Sequence, residues 1–95
     1  MNKERRFASV WDAIEPSAAE AASMKVRSEV MMAVRKSVDR WELTQAAAAK
    51  RLGITQPRLN DLLRGRIDRF SLDALVDIAV RAGLLVYVRT VRRAA

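Results

Sequence analysis

The chain has 95 residues, with 18 Lys and Arg against 11 Asp and Glu, no His and no Cys. This length holds one domain with one small core, and the missing residue types exclude disulfides, thiolate metal sites, thiol nucleophiles and histidine chemistry. Half the residues are apolar and the net charge is +7, which implies a folded domain with a polyanionic partner, nucleic acid ahead of a membrane surface. No apolar run approaches the roughly 18–20 residues of a membrane span. The opening Met-Asn-Lys-Glu-Arg-Arg-Phe lacks the apolar stretch of a signal peptide, so a cytoplasmic protein is expected.

Residues 1–16 read as an N-terminal arm with a short helix. Phe7, Val10, Trp11 and Ile14 fall at i, i+3, i+4 and i+7, one helical stripe. Pro16 is expected to end it. Ser17-Ala-Ala-Glu20 then has the form of a capping box opening a long helix. In that helix Ala22, Val26, Val30, Val34 and Val38 recur every four residues, with Ala33 and Trp41 widening the stripe. Arg27, Glu29, Arg35, Lys36 and Asp39 occupy the opposite side.

Thr44 is placed to cap a helix over 45–52 that stops at Gly53, and Thr55 to cap another over 56–64 that stops at Gly65. Pro57 falls in the first turn of the latter, where proline is tolerated. Ser71 caps a helix over 72–82, lined inside by Leu72, Leu75, Ile78, Ala79 and Ala82. Leu84-Leu-Val-Tyr-Val-Arg-Thr-Val91 is rich in β-branched and aromatic residues and predicts a strand, followed by a basic tail to residue 95. The rest of the chain offers it no partner. An unpaired strand edge favours association, so Leu84, Val86, Tyr87 and Val88 are expected to pair with a twofold mate in a homodimer.

The charge has a location. Residues 40–69 carry a net +4, residues 70–95 a net +2 and residues 12–29 a net −2. The +4 segment coincides with the pattern helix, Gly-containing turn, helix. Such a motif needs a small residue where the helices cross, supplied by Ala49, and a turn tolerating positive φ, supplied by Gly53. Ile54, Leu59 and Leu62 have the spacing to fix the interhelical angle. Gln56, Arg58 and Asn60, early in the second helix, are of types that reach base edges.

Gln45-Ala46-x-x-Ala49-x-x-Leu52-Gly53-Ile54-Thr55-Gln56-x-x-Leu59-x-x-Leu62-x-x-Gly65 resembles the Cro and phage-repressor (XRE) class of helix-turn-helix domains, over roughly residues 22–83. With Phe7-Ala-Ser-Val-Trp-Asp-Ala-Ile14 and Arg69-Phe-Ser-Leu-Asp-Ala-Leu75, it is more specifically similar to antitoxin-type regulators of host-inhibition-of-growth modules. The resemblance implies an all-α, four- to five-helix, lambda-repressor-like domain over 17–83, here with the C-terminal strand in place of a fifth helix. It implies base reading by Gln56, Pro57, Arg58, Asn60 and Asp61; helical spacing places Arg58 and Arg64 to neutralise Asp61. Phosphate contacts fall to Thr44, Gln45, Thr55, Arg64, Arg66 and Arg69.

The function expected is a dimeric, sequence-specific repressor on a palindromic operator that also acts as an antitoxin. The alternative is a protein whose main task is neutralising a toxin, with DNA binding secondary. Phe7, Val10, Trp11 and Ile14 are the candidate toxin-docking stripe, against the plainer reading of an arm packed on its own domain. No enzyme, metal or cofactor is expected. Asp73 and Asp77 share a helical face but lack a third ligand, so a solvated face is the better reading. Met24, Met31 and Met32 read as gap-filling or interface residues.

Overall fold

The valine repeat shapes the first and longest element, α1 (Glu4–Trp41). In the computed structural model, which describes the backbone of residues 4–93 and the side chains of residues 17–93, Met31, Val34 and Val38 are buried from this helix and Val30 and Trp41 pack partly against them. At about 1.5 Å per residue, α1 accounts for the 57 Å long axis of the molecule.

The helix does not break at Pro16, and Ser17 is an interior residue rather than a cap. Proline removes one N–H and crowds the preceding turn. Here that cost is carried within a run of strong helix formers, Ala13, Ala18, Ala19, Ala21 and Ala22. The expected helix end at Pro16 and cap at Ser17 are therefore corrected to one continuous helix. The side chains of Phe7, Val10, Trp11 and Ile14 lie outside the described residues. At the other end α1 stops without glycine, placing Glu42 at φ 54, a left-handed position that costs a side-chain-bearing residue some strain.

Three short helices follow: α2 (Gln45–Leu52), α3 (Gln56–Leu63) and α4 (Leu72–Arg81), with a 3-10 turn at Ile67–Arg69 between the last two. The three expected caps form: Thr44, Thr55 and Ser71 accept from the amides of Ala47, Arg58 and Ala74 at 3.1, 3.2 and 3.1 Å. Gly53, at φ 71, closes α2 by a paired reversal in which its N–H bonds the Lys50 carbonyl and that of Ile54 the Ala49 carbonyl. Gly65 ends α3 in the same way, through the carbonyls of Leu62 and Asp61.

The core is one cluster. Leu52, Leu59, Leu62 and Leu75 are fully buried, joined by Met31, Val34, Val38, Ala48, Ala49, Phe70, Ile78, Ala79 and Ala82. Ser37, the one buried polar side chain among the described residues, donates to the Ala33 carbonyl at 3.2 Å, which removes the penalty of an unpaired hydroxyl. Ala22 and Ala33 are exposed, so the apolar face of α1 turns toward Met31 rather than following the four-residue repeat alone.

The expected C-terminal strand is not formed; the described residues are helical with connecting segments and contain no strand. A strand is defined by a ladder, and a chain with no other extended segment supplies none. Leu84 and Val86 nevertheless pack partly against the core while Leu85 and Tyr87 stay exposed, the period-two burial of an extended segment, which ends at exposed Val88. Between α1 and this segment lies a cleft of about 190 Å³, lined by Val30, Ala33, Ala79, Leu84 and Tyr87 among others.

Candidate nucleic-acid interface

The geometry of α2 and α3 follows from small and large residues at the expected places. Ala48 and Ala49 are buried where α2 meets its neighbours, and Ile54 in the turn packs partly against the core. With Leu59 and Leu62 fully buried, the other face of α3 is turned outward, so Gln56, Pro57 and Asn60 are exposed. An amide at Gln56 and another at Asn60 offer paired donor and acceptor groups one turn apart, the chemistry that recognises a base edge. Proline in the first turn gives up no helical hydrogen bond and presents an apolar surface.

The start of α2 is similarly open. Gln45 is exposed in the first turn, beside the unpaired amides of a helix N-terminus. The hydroxyls of Thr44 and Thr55 accept backbone N–H groups as caps, leaving each hydroxyl hydrogen free to donate outward. Behind α3, Arg64 is exposed and Arg66 half-buried.

Two expected base readers are placed differently. Arg58 is half-buried, with its guanidinium carbon 4.2 Å from the centroid of the Phe70 ring and its Nη1 donating to the Arg69 carbonyl at 3.0 Å. Asp61, also half-buried, accepts from Arg69 Nη1 at 3.4 Å. Asp61 thus pairs with Arg69, across the loop, rather than with the Arg58 and Arg64 expected from helical spacing.

Other arginines hold the scaffold in ways that spacing alone did not reveal. Arg27, read as part of the solvated side of α1, is half-buried and donates through Nη1 to the carbonyls of Ile67 and Phe70, both at 3.2 Å. Its Nε reaches the Ser23 hydroxyl at 3.2 Å. Arg51 stacks 3.9 Å from the centroid of Trp41, and Arg81 pairs with Asp77 at 3.2 Å while its guanidinium lies against Gly53. Carbonyls some 40 residues away leave no trace in a helical repeat, so Arg27 carried no sequence signal. Asp77 is occupied by this exposed ion pair rather than by any carboxylate partnership with Asp73.

A helix-turn-helix with a polar outward face on its second helix, capped at both helix starts, defines a DNA-binding domain by class. A family model described as helix-turn-helix domain matches residues 13–90. Among solved structures, a protein provisionally described as an XRE family transcriptional regulator is similar at 30% identity and a TM-score of 0.72, covering 80% of this chain and 90% of its own. No curated protein matches. The chain belongs to this helix-turn-helix family, of the XRE type, whose members are DNA-binding transcriptional regulators and not enzymes. Among the described residues no helix is long and apolar enough to cross a membrane.

Proposed function

We propose that the protein is a sequence-specific repressor that binds a palindromic operator as a homodimer, presenting α3 to the major groove. The observation that carries this reading is the exposure of Gln56, Pro57 and Asn60 on a helix whose opposite face is anchored by fully buried Leu59 and Leu62. Gln56 reads an adenine edge, Asn60 a neighbouring base, and Pro57 meets an apolar surface such as a thymine methyl. Thr44, Gln45 and Thr55 at the helix starts, with Arg64, Arg66 and Arg69 behind α3, contact phosphates. The segment containing Leu84, Val86, Tyr87 and Val88 pairs with its twofold mate, placing the two recognition helices about 34 Å apart. Exposed Leu85, Tyr87, Val88 and Val91 support that pairing.

The test is a gel-shift titration against the DNA immediately upstream of the gene. Gln56→Ala should weaken binding to the bound site by about 1–3 kcal/mol and to scrambled duplex far less. Equal loss on both duplexes would remove Gln56 from base reading.

A second reading, toxin neutralisation, is favoured by α1. Its residues 17–25 are all exposed, and residues 12–29 carry the net negative charge that suits a basic partner. The Phe7, Val10, Trp11 and Ile14 stripe is the docking element in this reading, by a helix-in-groove mode. Deleting residues 1–15 should abolish capture of a neighbouring gene's toxin-like product while sparing operator binding; unchanged capture removes the docking role.

A further inference from the structure

We infer that Arg58 and Asp61 act on DNA binding indirectly, as positioning residues that fasten the loop 66–70 to the recognition helix, and that the base-contacting set is Gln56, Pro57 and Asn60. The inference rests on the DNA-binding reading above and refines how that site works.

The 3-10 turn at 67–69 is anchored by Ile67, which packs partly against the core, and by buried Phe70 beside it, and its carbonyls are held by side chains from elsewhere. It has no side-chain cap and buries none of its own three residues. Two arginines from different helices occupy its carbonyls: Arg27 of α1 takes those of Ile67 and Phe70, and Arg58 of α3 takes that of Arg69. The Arg58 guanidinium also lies over the ring of buried Phe70, its carbon 4.2 Å from the centroid. One face of Arg58 is thereby fixed to the core and one edge to the loop. One turn further along α3, Asp61 takes the Arg69 side chain.

Reaching a base edge would require Arg58 to leave both the ring and the carbonyl, loosening the loop at Arg69 while Arg27 still holds the Ile67 and Phe70 carbonyls. Its planar fork instead combines stacking with a directed hydrogen bond, which an ammonium on a flexible stem cannot reproduce. The loop so held carries Arg66 and Arg69. Arg66 is already held at the end of α3 by its N–H on the Asp61 carbonyl, whereas the position of Arg69 against α3, and so against the phosphates flanking the groove, is set by Arg58 and Asp61. Sequence readout and backbone clamping are therefore joined through these two side chains.

The experiment compares wild type, Arg58→Ala and Arg58→Lys on the upstream duplex, on its single-base-pair variants and on a scrambled duplex. Amide hydrogen exchange of the free proteins is measured alongside. Both variants should bind every duplex about tenfold more weakly, as for loss of one directed contact, with the ranking of base-pair variants unchanged. The slope of affinity against salt should fall by about one unit per monomer as Arg69 loses its phosphate. Amides of 67–70 should exchange faster while those of Leu59 and Leu62 keep their protection, which distinguishes a loosened loop from an unfolded domain. Loss of discrimination at a single base pair in Arg58→Ala would overturn the inference in favour of direct reading. Rescue by Arg58→Lys, or a faster-exchanging loop with undiminished affinity, would overturn it as well. Failure of the wild type to bind any duplex would instead overturn the DNA-binding reading itself, and the inference with it.

Discussion

Between Thr44 and Gly65 each helix end is closed by a residue within a few positions. Two threonines cap the starts, two paired reversals close the ends, and Leu52, Leu59 and Leu62 are removed from solvent. From Leu84 onward the chain differs. The Leu84 N–H still bonds the Ala79 carbonyl, and Leu84 and Val86 still touch the core, but Leu85, Tyr87 and Val91 are 86%, 80% and 76% exposed. Both regions are rich in apolar side chains. Helical hydrogen bonds close within a segment, whereas extended backbone must find its partners elsewhere. The first region is completed by its own chain, and the second offers groups that its own chain does not use.

The contrast can be broken most severely at its strong side. Leu62→Ala removes a fully buried side chain at the end of α3 and should destabilise the domain by about 2–5 kcal/mol in urea unfolding. A cost below about 1 kcal/mol would mean that α3 is not held by the core. Gly53→Ala comes next. The turn sits at φ 71, and an added Cβ would meet Arg81 Nη1 at 2.8 Å. The backbone strain should cost about 1–2 kcal/mol, read as a lower unfolding midpoint, while Arg81, whose pair with Asp77 is exposed, can swing aside.

How much was legible follows the same division. The bounds of α2, the caps at Thr44, Thr55 and Ser71, and the turn at Gly53 could be read from residue type and spacing, because each depends on groups no more than a few positions apart. The outward face of α3 at Gln56, Pro57 and Asn60 followed once Leu59 and Leu62 were assigned inward. Pro16 does not end α1 because the alanines around it sustain the helix, a balance that one residue type does not display. Arg58, Asp61 and Arg27 were legible as charges but not as contacts. Their partners depend on the path of 66–70, which is set by tertiary packing. The same holds for the C-terminal segment, whose residue types are those of a strand but whose ladder would require a second chain.

That last point yields the smallest effect on the fold and the sharpest test of the comparison. Ending the chain after Val86 keeps the two side chains that pack against the core, Leu84 and Val86, and removes residues that are exposed where described. The intrinsic stability of the domain, measured at a concentration where both proteins are monomeric, should change by no more than about 0.5 kcal/mol. Association should respond far more. Full-length protein that dimerises through this segment gains stability with protein concentration, because only the folded state binds its mate, and the shortened protein should lose that dependence and scatter light as a monomer at micromolar concentration. A shortened protein that remains dimeric would place the twofold contact elsewhere, while a full-length protein that is monomeric would remove the twofold pairing altogether. A large loss of monomer stability would show that the tail belongs to the core and that the contrast between the two regions is false.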